Sequence, residues 1–411
     1  MQTPRLEGIC ASVLTAVGIM LFAPLASSVE NEGGPELHSL TAYSCGSVGC
    51  HADIFQQWNS SMHANSVPMK DPIHAAFYRQ LVGDPLREGT QMGNQYPVCL
   101  QCHAPFAALD GRTNLNAKPA YHDGINCMIC HTFSQYTGRT GQGSGLPGGV
   151  HDYKLSSDVL QGALGRYFSS HPDQRQGEAA KSYHPYAIEP NQKLLKTSRA
   201  CIGCHDIRDN ADENVFEEDR IACQACHMPK INGVADHSMQ GGHSAGMVKQ
   251  ALLLSIEAKP EADQLLTQVK LQNTLPHSFP ATMPLRNVTL KVVAYAQDGQ
   301  VVWENFHTNA AKEDPKAVLV YKPNGYIGHP PLPVTAMQSL ADSHLKAKET
   351  RVLSYKIPAT KVALIRAEAY YNLILPDQIL NAQIQYQQTM PAYLLPNNKL
   401  PGSAGVAELR F

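Results

Sequence analysis

Five short stretches of this chain end in a histidine directly after a cysteine: Cys45 and Cys50 with His51, Cys99 and Cys102 with His103, Cys127 and Cys130 with His131, Cys201 and Cys204 with His205, and Cys223 and Cys226 with His227. In four of them two residues separate the cysteines; in the first, "CGSVGCH", four do. Residues three apart on a helical turn share a face, so the two thiols can reach two points of one flat group while the following histidine is drawn beneath it. That is the pattern of c-type haem attachment: each thiol adds to a porphyrin vinyl group and the imidazole ligates iron. The chain is therefore expected to carry five covalent c-type haems (heme c), with His51, His103, His131, His205 and His227 as proximal ligands. Exported cysteines suit disulfides, but disulfide chemistry has no use for a histidine after every second cysteine. Zinc needs four ligands per ion, and five like triplets divide badly into fours. A thioredoxin-type Cys-x-x-Cys would occur once, beside a βαβ pattern.

Each iron needs a second axial ligand or keeps an open position. Fourteen of the eighteen histidines precede residue 245, and this surplus points to bis-histidine ligation. By local setting the distal candidates rank as His63, His237 and His243, then His184 and His122, then His151, His171 and His74. Methionine would serve instead and raise the potential; Met62, Met228 and Met239 stand near motifs.

The elements that must position these groups are partly legible. Ile54, Trp58 and Met62 recur at helical spacing after the first motif, with His63 at the helix end. "DPIHAAFYRQLVG" reads as a helix with Asp71 as cap, Pro72 at its first position and Gly83 at its stop. Residues 132–200 are rich in Gly, Ser and Pro with weak periodicity, which predicts little side-chain core and leaves the haems to fill the interior. Ten of the eleven cysteines lie between Cys45 and Cys226 and none follows, marking a change of character near 245–270. Beyond it, "VTLKVVAYAQDGQVVW" alternates about Asp298-Gly299, a hairpin signal, and segments 317–322, 350–357 and 361–374 add strands. The expected fold is a mainly α and irregular multihaem cytochrome domain at 29–250, followed by an all-β antiparallel sandwich domain at 265–411. His277, in "LPHSFPATMP" at the junction, is a suggested ligand from the second domain.

The N-terminus runs from Arg5 through an apolar stretch to small residues near Ala26, the order of a signal peptide over 1–28. Export to the periplasm or cell surface is expected. A net charge of −2, with 17% charged residues, gives no electrostatic case for nucleic acid.

The stretches "CHADIFQQWNSSMHA", "CLQCHAP", "GINCMICH", "SRACIGCHD" and "CQACHMP" with "DHSMQGGH" resemble the multihaem cytochromes of the superfamily that includes hydroxylamine oxidoreductase and octahaem tetrathionate reductase. The resemblance covers most of residues 40–245. It implies that the Trp58, Ser61, His63 run and His237 supply distal ligands. Pentahaem nitrite reductases share the haem number but carry a Cys-x-x-Cys-Lys site, which is missing from this sequence. Electron transfer through five haems is the leading expectation, with redox proteins as partners: other cytochromes, a quinol-side donor or a terminal reductase. The alternatives are an oxidoreductase acting on a small nitrogen or sulfur compound at one open haem, and a self-associating subunit of a cytochrome filament.

Overall fold

In this computed structural model, residues 37–47, 49–138, 148–170, 184–205, 221–280, 286–321, 342–374 and 403–411 are described. The expected signal peptide lies outside them, as does His171. Among the described residues, no helix is long and apolar enough to cross a membrane.

The motif-bearing region is built from short helices joined by irregular chain. Helix α1 (Ala52–Asn59) leaves the first motif and buries Trp58, whose indole N–H donates to the Ile125 carbonyl at 2.7 Å. Helix α2 (Pro72–Leu81) starts as its sequence predicts: the Asp71 side chain accepts from the amides of Ile73 and His74, and Pro72 fills the first turn, where its missing N–H costs nothing. Motif helices α3 (Leu100–His103), α4 (Cys127–Thr132) and α5 (Cys223–His227) are one turn or little more. Helices this short are not stable alone and are held by what surrounds them. Around them lies a larger side-chain core than the Gly-rich composition predicts, including Leu100, Phe106, Tyr121, Met128, Ile129 and Phe133. Ala104, Ala107, Ala108 and Ala120 belong to the same core, and such small residues let short segments approach closely.

The second region is all antiparallel. Strands β1 (Leu252–Glu261), β2 (Gln264–Asn273) and β6 (Thr350–Pro358) form a three-stranded sheet in the order β6-β2-β1. Strands β3 (Asn287–Tyr295), β4 (Val301–Glu304), β5 (Val318–Val320), β7 (Leu364–Asn372) and β8 (Ser403–Arg410) form a second sheet in the order β4-β3-β7-β8, with β5 also on β3. The Asp298-Gly299 hairpin joins β3 to β4, with Gly299 at φ +82°. Strand β2 alternates along its length, burying Leu265, Thr267, Val269, Leu271 and Asn273, the period expected of a strand with one face covered. The buried faces of both sheets share one core, in which Val269, Leu271 and Ile357 meet Val292, Ile365 and Ala367. This region opens at Leu252, within the 245–270 interval marked by composition and ahead of the domain start expected at 265. The same core takes in Ile73, Ala76 and Phe77 of α2, so a helix of the motif region packs against the sheets.

One turn shows how tightly the segments are set. Gly124 stands at φ +64°, and a Cβ there would come within 2.4 Å of the His63 carbonyl oxygen and 2.5 Å of the Ser66 hydroxyl. Gly111 has a similar φ, +63°, with nothing nearby. Gly124→Ala is expected to cost about 2–4 kcal/mol, against about 1 kcal/mol for Gly111→Ala, since only the first adds a clash to the left-handed backbone cost. Denaturant unfolding of both variants checks this.

Candidate haem-binding sites

The five motifs share one local construction. The amide of the motif histidine donates back to the carbonyl of its first cysteine: His103 to Cys99 at 2.9 Å and His205 to Cys201 at 2.8 Å. His131 and His227 occupy the corresponding places in α4 and α5. In the longer first motif the His51 amide also donates to the carbonyl of its first cysteine, Cys45, at 3.1 Å, closing a larger ring that takes in the two extra residues.

All ten cysteines are free. Thiols of different motifs lie near enough to shift one another's ionisation: Cys45 with Cys127, Cys102 with Cys204, and Cys201 with Cys223. Cys130 stands close enough to Cys201 and Cys204 to raise both further. The motifs therefore adjoin in an order unlike that of the sequence: first to third, third to fourth, and fourth to both second and fifth. Cys50 and Cys226, in the first and fifth motifs, are exposed; the other eight are partly covered. Burial pushes Cys99 up to about 12 and Cys130 up to about 11, so these thiols are protonated and apolar until they react.

The imidazoles are pinned by one nitrogen. His103 donates Nδ1–H to the Ser66 carbonyl at 3.0 Å, His131 to Gln161 at 2.8 Å and His227 to Gln240 at 2.6 Å. Non-motif histidines do the same: His237 to Ala235 at 2.8 Å, His277 to Ser278 at 2.9 Å and His74 to Ser66 at 2.6 Å; His184 Nδ1 meets both the carbonyl of Tyr186 at 2.7 Å and its amide at 3.2 Å. A carbonyl on Nδ1 fixes the tautomer that leaves Nε2 bare, as metal-bound histidines require. The Nε2 atoms of His74 and His38 are buried without a hydrogen-bond partner. Burial holds His63, His74, His103, His131, His237 and His277 below the usual histidine range, so they are neutral and able to ligate. Among the described residues, no three or more His, Cys, Asp or Glu side chains converge as a metal cage; the rings meet in twos.

Those meetings are specific. Ring centres lie 6.1 Å apart for His51 and His184, 5.9 Å for His63 and His205, and 6.4 Å for His227 and His277. Burial lowers His131 most, and His237, His51 and His184 lower it further. The amide of His237 donates to the Gln57 side chain of α1 at 2.9 Å. His103 and His74 are the exception: their centres are 4.3 Å apart, and both donate to the Ser66 carbonyl. Two highly ranked distal candidates are placed away from these pairs. His243 Nε2 accepts from the Arg286 guanidinium at 3.0 Å, and His122 meets the Asn116 side chain at 3.0 Å in exposed surroundings. His74 and His277, ranked low or only suggested from sequence, stand beside motif histidines. The signal for His74 is its place in the first turn of a capped helix, directly beside Ile73 of the apolar face. Met239 Sδ lies against His63 Nδ1.

The donor set fits the attachment of c-type haem, with paired reduced thiols and neutral imidazoles whose Nε2 atoms are left bare. Residues 44–132 match the family described as cytochrome c554 and c-prime, which spans the first three motifs. No curated protein matches the chain. Among solved structures, the penta-heme cytochrome c552 from Thermochromatium tepidum is similar at 37% identity with a TM-score of 0.75, over 92% of this chain and 100% of that one. Motifs, fold and relatives agree: this chain belongs to the multihaem c-type cytochromes and is an electron-transfer protein.

Proposed function

We propose that the protein binds five covalent haems, one per motif, and carries electrons between redox partners in an exported compartment. The observation that carries this reading is the spacing of the imidazole pairs. Two rings on opposite sides of one metal, each bonded at about 2 Å with a further ~1 Å from nitrogen to ring centre, have centres about 6 Å apart. Three pairs have this separation, and each contains one motif histidine: His51 with His184, His205 with His63, and His227 with His277. His237 is proposed as the partner of His131, each ring being held by a backbone carbonyl on Nδ1. When bound, each iron stores and passes one electron. The chain's part is to hold ligands so that little moves when the charge changes, which the carbonyl bonds to Nδ1 accomplish. The motif order first, third, fourth, fifth, with the second adjoining the fourth, gives a continuous path, and the exposed Cys50 and Cys226 put its ends within reach of partners.

The two sheets with their common core are read as a β-sandwich whose His277 supplies a ligand to the last site. The run Trp58, Ser61, His63 supports membership of the hydroxylamine oxidoreductase and octahaem tetrathionate reductase superfamily. Export rests on the N-terminal segment, and a quinol-side donor and a terminal reductase or another cytochrome are the proposed partners.

A second reading, an oxidoreductase acting on a small nitrogen or sulfur compound, is favoured by the His103 site alone. His74 sits 4.3 Å from His103 on the same carbonyl, too close for an iron between the rings. That site is the one to watch for an open coordination position.

Haem quantified per chain, together with low-temperature EPR of the oxidised protein, tests both readings. Five haems with only low-spin signals support the carrier; a high-spin signal worth one haem, removed by a small anion, moves the assignment to the enzyme. His63→Met is expected to raise one reduction potential and leave the others nearly in place; unchanged potentials would remove His63 from the ligand set. Acid should weaken the fold. His63 ionises near 6.5 when unfolded, whereas burial, with His205 and His103 nearby, lowers it to about 3 in the folded chain. The unfolded state then binds more protons between those values, so stability is complete above the unfolded value and falls as pH drops through the window. Unfolding midpoints at pH about 7.5 and about 5 should differ, the lower pH giving the lower midpoint.

A further inference from the structure

The 240–243 loop, just after the last ligand candidates, is gripped by the β region. His227 donates Nδ1–H to the Gln240 carbonyl at 2.6 Å. Three residues on, His243 Nε2 accepts from Arg286 Nη2 at 3.0 Å, while Nη1 of the same guanidinium donates to the Leu373 carbonyl, at the end of β7, at 2.6 Å. Between them, Gly242 is pressed so close to Tyr371 of β7 that a Cβ would come within 2.4 Å of the phenol oxygen. Tyr371 in turn stacks on Phe279, centres 5.7 Å apart and planes at 21°. Phe279 is two residues from His277, whose ring faces His227 at 6.4 Å. The β region thus touches the fifth site from both sides: directly through His277, and through the loop that supplies the proximal hydrogen bond.

We propose that Arg286, His243 and Tyr371 form a latch through which the β region sets the reduction potential of the fifth haem, by holding the Gln240 carbonyl against the His227 imidazole. The proposal rests on His227 and His277 being the ligands of that haem. A carbonyl held firmly on Nδ1–H makes the imidazole a stronger electron donor, and outer hydrogen bonding of this kind is one of the levers by which a protein sets a haem potential. Stronger donation favours the oxidised iron; loosening the carbonyl raises the potential. Arg286 is always charged and is satisfied here by a neutral acceptor and a carbonyl, so removing the His243 ring breaks the latch without changing the charge near the haem. His243, Arg286 and Tyr371 are positioning residues; none touches the iron.

Potentiometry of the haem-loaded protein tests this. In His243→Leu, one of the five reduction waves should move to higher potential while four stay. His243→Gln, whose side-chain oxygen can accept from Arg286, should keep all five in place. Five unchanged waves in His243→Leu with a full haem complement, or five that shift together, overturn the latch. Should His243→Leu load fewer haems, Gly242→Ala, which strains the same loop while keeping every polar group, carries the test with the same outcomes. His277→Leu, measured in parallel, separates the two layers of the argument. If it leaves every haem low-spin, the ligand reading has failed; if it turns one haem high-spin while His243→Leu moves no wave, only the latch has failed.

Discussion

A buried imidazole needs something at both of its nitrogens, and most of the motif region is arranged around that need. Six histidines place Nδ1–H on a backbone carbonyl, and a polar atom taken from water without a partner is costly. The Nε2 left bare by that tautomer is the atom a haem iron would answer. Covalent attachment makes that answer permanent, and the short motif helices, too short to persist alone, are organised by it. Ser66 illustrates the economy of the arrangement: its carbonyl serves both His74 and His103, and its hydroxyl donates to the His103 carbonyl at 2.8 Å.

Much of this was legible in the sequence, for reasons that differ by feature. The cysteine and histidine spacing is local chemistry, so the motifs are read directly from the sequence, and in the longer first motif the His51 amide still returns to the Cys45 carbonyl. The α2 cap and the Asp298-Gly299 hairpin are equally local. Which histidines face one another is not. His184 meets His51, and His277 meets His227, across long stretches of chain, and neither carries a neighbouring pattern that names its partner. His243 looked attractive because it stands in a Gly-rich loop after a motif, yet the group that engages it, Arg286, belongs to the other region of the fold. The β1 and β2 hairpin is not read from the sequence, where Pro260 and Glu261 obscure a strand; both belong to the end of β1, and Ala262, at φ +53°, and Asp263 make the tight connection to β2.

The spatial order of the motifs also departs from their order in the chain. The thiol contacts put the fourth motif beside the third, second and fifth. A chain that returns to an earlier site in this way brings sites together through long-range contacts, which are formed late and at an entropic cost.

Helix α2 draws the two regions into one structure. Ile73, Ala76 and Phe77 belong to the core of the sheets, while Tyr78, the next residue, belongs to the core around the motifs. The loss of cysteines after Cys226 therefore marks a boundary of chemistry and not of cooperativity. A gene fragment ending where the cysteines end would encode a protein whose Ile73, Ala76 and Phe77 face is uncovered, and recombination at that point would separate two halves joined through α2, through His243 with Arg286 and through His227 with His277.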